Sequence, residues 1–233
     1  MIGSVGDSCT GCGACAASCP EVCISFEQGE LGHLFPTVDR NACVRCGECR
    51  RTCPALHEPK AGPFTGEALA FQALDRSLLD DSSSGGAFGV MAELWIERGG
   101  VVYGAAWERG AGARHRRVDA VEGLAALRRS KYVQSSLKDV FELVERDLAA
   151  GLRVLFVGVP CQVAAVKAVC GPGFTPGRLV TVDLVCHGVP SAALFEEYLG
   201  WMEERAGAEV AVYASRDKMR SGWSCLGSVV FDG

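Results

Sequence analysis

The spacing of apolar and polar positions changes character along the chain. Over residues 8–57 there is almost no period, only cysteines at short intervals. Between them Ile24-Ser25-Phe26-Glu27-Gln28 and His33-Leu34-Phe35-Pro36-Thr37-Val38 flank Gly29-Glu30-Leu31-Gly32, which predicts a hairpin. Residues 58–66 have the proline, glycine and polar composition of a linker, so domains are expected at 1–57 and 67–233. From Glu67 onward regular periods appear. Ala68–Ala73 suggests a strand, and Ala87–Arg98 a helix with Phe88, Met91, Leu94 and Trp95 at helical spacing. Val101–Trp107 predicts a strand and Arg109–Arg117 a basic turn. Val121–Arg129 and Leu137–Ala150 predict helices, Arg153–Gly158 a buried strand and Cys161–Val169 a helix. Leu179–Val185 predicts a strand, Ala192–Arg205 a helix, and Glu209–Ser215 and Ser224–Phe231 further strands. Strand and helix alternate from Val154 to Arg205, the pattern of a parallel sheet with crossover helices. The chain ends inside the last of these strand patterns, so a truncated domain is expected.

The cysteines change this picture most. Cys9, Cys12, Cys15 and Cys19-Pro20 recur 34 residues later as Cys43, Cys46, Cys49 and Cys53-Pro54. This is the spacing with which bacterial ferredoxins hold two [4Fe-4S] clusters. Three cysteines at steps of three wrap a tight loop around a cubane, and the fourth points away to the other cluster. The expected ligand sets are therefore Cys9, Cys12, Cys15 and Cys53 for one cluster, and Cys43, Cys46, Cys49 and Cys19 for the other. A pair of zinc sites is the competing reading, but zinc needs neither the third cysteine of each run nor the proline. Cys23, Cys161, Cys170, Cys186 and Cys225 remain of the 13 cysteines. Cys23 is expected to pack beside a cluster, and Cys170 and Cys225 to be structural.

Composition adds exclusions. A net charge of -5 gives no global pointer to nucleic acid. The first residues have no basic, apolar leader pattern, and no apolar run is long enough to span a bilayer. With so many cysteines in a chain read as unexported, the expectation is a cytoplasmic redox protein without structural disulfides.

Four stretches of the larger domain carry candidate chemistry. Ser82-Ser83-Ser84-Gly85-Gly86 opens a helix, where free amides and the dipole suit a phosphate, although a plain serine cap reads the same way. Gly158-Val159-Pro160-Cys161-Gln162 and Cys186-His187-Gly188-Val189-Pro190-Ser191 each follow a strand. If those strands are parallel neighbours, Cys161, Gln162, Cys186 and His187 share the carboxyl edge of the sheet, where open α/β folds bind ligands. Cys161 at a helix start is expected to have a lowered pKa, or else to be a packed thiol. Arg128-Arg129-Ser130-Lys131-Tyr132-Val133-Gln134-Ser135 suits an anionic cofactor or simply a solvated helix end. Arg114-His115-Arg116-Arg117 reads as a solvated run. No GxGxxG occurs.

Together these motifs, with Arg216-Asp217-Lys218 and Gly222-Trp223, resemble the beta subunit family of coenzyme F420 hydrogenases and dehydrogenases, from Cys9 to Trp223. Members are FAD- and iron–sulfur-dependent oxidoreductases, among them deazaflavin-reducing subunits, formate dehydrogenase beta subunits and chlorophyll-modifying reductases. The resemblance implies a two-cluster ferredoxin-like module followed by an α/β FAD-binding catalytic domain. It implies FAD near Ser84, Gly85, Gly86, Lys131, Gln134, Ser135, Pro160 and Cys161, and catalytic roles for Cys161, Gln162 and His187. It further implies electron exchange between the clusters, fed by a ferredoxin or partner subunit, and an organic two-electron substrate such as coenzyme F420. The alternative is a non-catalytic electron-transfer subunit with the clusters alone.

Overall fold

The computed structural model describes residues 2–57, 66–108, 112–171, 177–218, 222 and 226–232. The elements run α1 (Ala14–Ala17), β1 (Ile24–Gln28), β2 (Leu34–Val38), α2 (Glu48–Arg51), α3 (Arg76–Asp80), α4 (Ala87–Glu97), β3 (Val101–Glu108), β4 (Gly112–Val118), β5 (Ser135–Ser136), α5 (Val140–Ala149), β6 (Val154–Gly158), α6 (Pro160–Cys170), β7 (Leu179–Asp183), α7 (Ala192–Ala206), β8 (Val210–Ala214) and β9 (Ser228–Phe231). Among the described residues no helix is long and apolar enough to cross a membrane.

Two compact units form. One joins Met1–Phe64 to Ser136–Gly188, and the other joins Thr65–Ser135 to Val189–Gly233. The boundary after Phe64 falls in the stretch with linker composition, of which 58–65 lie outside the described residues. The cysteine-rich module does not stand alone, because 136–188 packs with it.

The first unit shows the internal repeat in three dimensions. Gly13 (φ 84) and Gly47 (φ 86) take the same left-handed turn before α1 and α2. Gly11 (φ 63) is matched by Arg45 (φ 57), which holds that conformation with a side chain. Ser18 and Thr52, equivalent in the two repeats, touch through their hydroxyls at 2.8 Å. β1 and β2 pair antiparallel, Ile24 opposite Val38, as the hairpin pattern predicts. The module's apolar core is small: Ile2, Val5, Cys15, Cys23, Ile24 and Cys53.

In the same unit β6 and β7 run parallel, with Val154 opposite Leu179 and Gly158 opposite Asp183. Every residue of β6 is buried, and α5 and α6 pack on it and on each other. A strand covered this way reads as a continuous apolar run, which is why Val154–Val157 carries no polar residue. The buried Cys170 thiol donates to the carbonyl of Phe141 (3.5 Å), and burial pushes its pKa up to about 12. That pair ties α6 to α5.

The second unit corrects several expectations. Ala68–Ala73 forms no strand: Leu69 and Phe71 are exposed, and the segment instead pairs through Ala73, whose amide donates to the Gly85 carbonyl (2.8 Å). The expected basic turn at Arg109–Arg117 is mostly strand. β4 pairs antiparallel with β3 from Glu108 opposite Gly112 to Val102 opposite Val118, while 109–111 lie outside the described residues. Arginine at alternate positions suits a strand with one wet face, so charge alone misleads there. His115 lies on the covered face, 3% exposed, and shares a 2.8 Å hydrogen bond with Ser135. Val121–Ala126 is a 3-10 helix rather than a full helix to Arg129. α7 leads into β8, which pairs antiparallel with β9 instead of extending the parallel pair. Phe195 of α7 stacks on Trp107 of β3 at 5.1 Å, and Tyr213 of β8 meets both rings edge-on.

Candidate redox site

Two cavities collect the repeat cysteines. One, of about 460 Å³, is lined by Cys19, Cys43, Cys46 and Cys49, with Cys23, Val44, Arg45 and Arg50 on its rim. The other is lined by Cys9, Cys12, Cys15 and Cys53. Each set holds three cysteines of one repeat and the fourth of the other. The exchange follows from the chain path. α1 carries the backbone away from Cys15, so Cys19 emerges on the far side of the helix, and α2 does the same for Cys53. Four soft thiolates around a cavity are the donor set of an iron–sulfur cluster.

The thiols respond to this crowding. Burial first, then the neighbouring Cys12 and Cys9 sulfurs, push Cys15 up to about 12. Cys19 and Cys23 lie 3.5 Å apart, Sγ to Sγ. Cys23 is raised to about 12, chiefly by its hydrogen bond to Cys19 and then by burial. For Cys19 burial works upward, but hydrogen bonds from the Cys23 amide and thiol outweigh it and lower the pKa. The two sulfurs thus share one hydrogen bond.

Beyond the repeats, β6 and β7 deliver two turns to one sheet edge. Gly158 and Asp183 face each other in register, and the Leu184 amide donates to the Gly158 carbonyl at 2.9 Å. Cys161 and Cys186 each follow three residues later. α6 packs against α1 and against the 3-10 turn Pro54–Leu56, which brings Cys161 to the first repeat. Its side chain and that of Cys12 both hydrogen-bond Thr10. The expected lowering of the Cys161 pKa does not occur. Burial raises it, the Cys186 sulfur adds to the rise, and the hydrogen bonds from Thr10 and the Gln162 amide only oppose it. Gln162 is buried, and its side-chain oxygen accepts from the Val159 amide (3.2 Å), capping α6. His187 is exposed, and Gly188 (φ 113) turns back so that its amide donates to the Cys186 sulfur at 3.4 Å.

The second unit gathers the other candidate residues. Gly86 (φ 83) starts α4, and no side chain caps that helix. The Ser83 hydroxyl accepts from the Ser130 amide (2.8 Å), so the serine–glycine loop meets the Arg128–Ser135 stretch directly. Asp81 pairs with Arg128 (3.3 Å) and Arg129 (3.0 Å), and Arg128 also pairs with Glu93 (2.5 Å). The Lys131 ammonium donates to the carbonyls of Ala126 (3.1 Å), Arg128 (2.5 Å) and Arg129 (3.2 Å). Burial holds its pKa down to about 8. Lys218 donates to the carbonyls of Leu79 and Ser84 from the opposite end of the unit's sequence. The Gln134 amide donates to the Pro190 carbonyl at 2.9 Å. Ser84, Gly85, Gly86, Lys131, Gln134 and Ser135 therefore lie in this unit, whereas Pro160 and Cys161 lie in the first. Trp223 and Cys225 lie outside the described residues.

The loop's glycines answer to packing. A Cβ on Gly85 would stand 2.3 Å from the Phe71 carbonyl oxygen, and one on Gly86 would stand 2.9 Å from Leu78. Gly85→Ala is expected to lower stability by about 1–3 kcal/mol through overpacking, read as a lower thermal midpoint of this unit. A midpoint equal to the parent's would show that the segment around Phe71 gives way freely.

Two participants escape the sequence reading. Lys218 sits in a motif with no role attached to it. Thr10 carries a signal that only a comparison of the two repeats isolates: the equivalent position is Val44.

Residues 8–56 match the family described as "4Fe-4S dicluster domain". Residues 151–221 match the family described as the C terminus of the coenzyme F420 hydrogenase/dehydrogenase beta subunit. Among curated proteins none matches. Among solved structures the chain is similar to one from the F420-reducing [NiFe] hydrogenase complex of Methanosarcina barkeri, at 19% identity and a TM-score of 0.46. That alignment covers 69% of this chain and 58% of the other. The cysteine repeat thus matches a 4Fe-4S dicluster domain, and residues 151–221 match the C terminus of the coenzyme F420 hydrogenase/dehydrogenase beta subunit family.

Proposed function

We propose that the chain is an FAD- and [4Fe-4S]-dependent oxidoreductase. It would exchange electrons between a ferredoxin or partner subunit and an organic two-electron substrate such as coenzyme F420. The observation that supports this best is the packing of α6 onto the dicluster repeat, which joins the region around Cys161 to the cysteine cavities. Cys9, Cys12, Cys15 and Cys53 would hold one cluster, and Cys43, Cys46, Cys49 and Cys19 the other. When bound, the clusters supply single electrons and FAD converts between single electrons and a hydride.

The chain's own residues would bind the flavin through the start of α4. That helix has no side-chain cap, so its first amides and its dipole favour an anion, here the pyrophosphate. Lys218 braces the serine–glycine loop through the Ser84 carbonyl, and Lys131 holds the Ala126–Arg129 turn through its carbonyls. Gln134 and Ser135 are proposed flavin neighbours within that unit, and Pro160, Cys161, Gln162 and His187 of the first unit are the groups proposed for the chemistry.

Ser84→Asp tests this. Ser84 is exposed, so the change adds a negative charge without crowding the loop. FAD affinity, measured by quenching of flavin fluorescence, should fall about tenfold or more through like-charge repulsion. Unchanged affinity would remove the pyrophosphate from this helix start.

One observation favours the second reading, an electron-transfer chain with clusters alone. Lys131 is already engaged with three carbonyls, and Gly85 is demanded by Phe71. Both residues thus have a structural task without a flavin. Protein that takes up iron and sulfide but no FAD would decide for that reading.

A further inference from the structure

We infer that Cys23 is a reserve ligand for the cluster of the second repeat, able to replace Cys19 on the same iron. This rests on the reading that Cys43, Cys46, Cys49 and Cys19 hold a [4Fe-4S] cluster.

The cavity offers five thiols where a cubane takes four. Cys23 lines it together with Cys19, Cys43, Cys46 and Cys49. The Cys19 and Cys23 sulfurs stand 3.5 Å apart. Two thiolates on one tetrahedral metal, at bonds of about 2.3 Å, stand roughly 3.7 Å apart, so an iron that one of these sulfurs reaches is a small movement from the other. Cys23 keeps its place without help from Cys19. Its carbonyl accepts from the Asp39 amide (2.9 Å), and the Asp39 carbonyl accepts from the Cys43 amide (3.1 Å). The next pair along, Ile24 opposite Val38, opens the β1–β2 ladder. The backbone thus ties this thiol to the loop that carries the Cys43 triad. Val22, just before it, takes a left-handed conformation (φ 48) that a β-branched residue rarely holds, and it is 84% exposed. Packing of Val22 does not demand that turn. Its effect is to bring Cys23 back onto Cys19, whose carbonyl accepts from the Val22 amide (3.1 Å).

The exchange balances without an oxidant or reductant. One iron–sulfur bond to Cys19 breaks, one to Cys23 forms, and the proton of the incoming thiol is left on the outgoing sulfur. The first repeat has no such reserve. His57 stands at the position of Cys23, and its ring Nε2 donates to the Arg50 carbonyl (2.9 Å). α6 packs on that site's α1 and Pro54–Leu56 turn, and Cys15 and Cys53 are buried. At the second site Cys46 is exposed and Val44 is 60% exposed. The fifth thiol therefore accompanies the more open cluster site, where exposure makes a ligand thiolate easier to oxidise.

The test uses the whole chain, reconstituted anaerobically with ferrous iron and sulfide and assayed for both. Cys19→Ala and Cys23→Ala should each keep about eight irons, and the double variant about four, the loss of one of two cubanes. A folded Cys19→Ala chain with about four irons would overturn the inference, and so would a double variant with about eight. Should Cys19→Ala fail to fold, labelling of the parent decides. Iodoacetamide on chains that keep their iron should mark Cys23 in some and Cys19 in others, read by mass spectrometry. Label absent from Cys19 would then overturn the exchange. Iron and sulfide counts on the parent keep the underlying reading separate: a parent that holds fewer than two clusters overturns the ligand assignment itself.

Discussion

In the Cys53→Ser variant, reconstituted iron is expected to fall from about eight to about four atoms per chain, the loss of one of two cubanes. The cluster lost should be the one on Cys9, Cys12 and Cys15, although Cys53 follows the other triad in sequence. Cys53 lines the cavity of that distant triad and is 8% exposed. The same thiol belongs to the module's small apolar core, beside Ile2, Val5, Cys15, Cys23 and Ile24. A module with so little buried surface draws much of its folding energy from bound metal, so the thermal midpoint of the repeat should fall with the iron. Iron and sulfide assays together with the spectrum of the remaining cluster check this. Retention of the Cys9, Cys12 and Cys15 cluster, with loss of the one on Cys43, Cys46 and Cys49, would overturn the crossed assignment.

The second large effect is expected at Phe156. The side chain is 0% exposed at the centre of β6, opposite Thr181 of β7. Phe156→Ala removes a ring from a site covered by α5 and α6. It should cost about 3–5 kcal/mol, from the apolar burial that is lost and the cavity left behind. Against a usual native stability of about 5–15 kcal/mol, that is enough to unfold part of the chain at working temperature. The consequence for function is local. β6 aims the turn that carries Cys161, so loosening it should free α6 from α1 and expose the thiol. A lower urea midpoint and faster alkylation of Cys161 are the expected readouts. Alkylation at the parental rate in a destabilised variant would mean that α6 keeps its place without the β6 core.

The gap between pattern and structure is easiest to see at Arg109–Arg117. Read alone, a glycine-bearing run of arginines is a turn. In the fold, β3 lends it a ladder, and the arginines alternate with Ala113 and His115, which are buried. The opposite error occurs at Ala68–Ala73, where a strand-like apolar run finds no ladder and instead props the Ser82–Gly86 loop through Phe71 and Ala73. Strand formation depends on a neighbour that can lie anywhere in the chain, so local pattern decides it poorly. Cys161 shows the same limit in electrostatics. A helix start lowers a thiol's pKa, but the burial that α6 acquires by packing on α1 outweighs that effect and reverses the sign.

By itself the sequence determined what depends on short range. The cysteine steps of three, the left-handed turns before α1 and α2, the β1–β2 hairpin and the apolar run of β6 are all set within a few residues by φ preferences and burial. Tertiary structure alone decided which distant segments meet. It joined Ser136–Gly188 to the cysteine repeat, Ser83 to Ser130, Lys218 to Ser84, and Thr10 to Cys161. Such pairings rest on side-chain packing and hydrogen bonds between segments with no local signature, and no period along one chain encodes them.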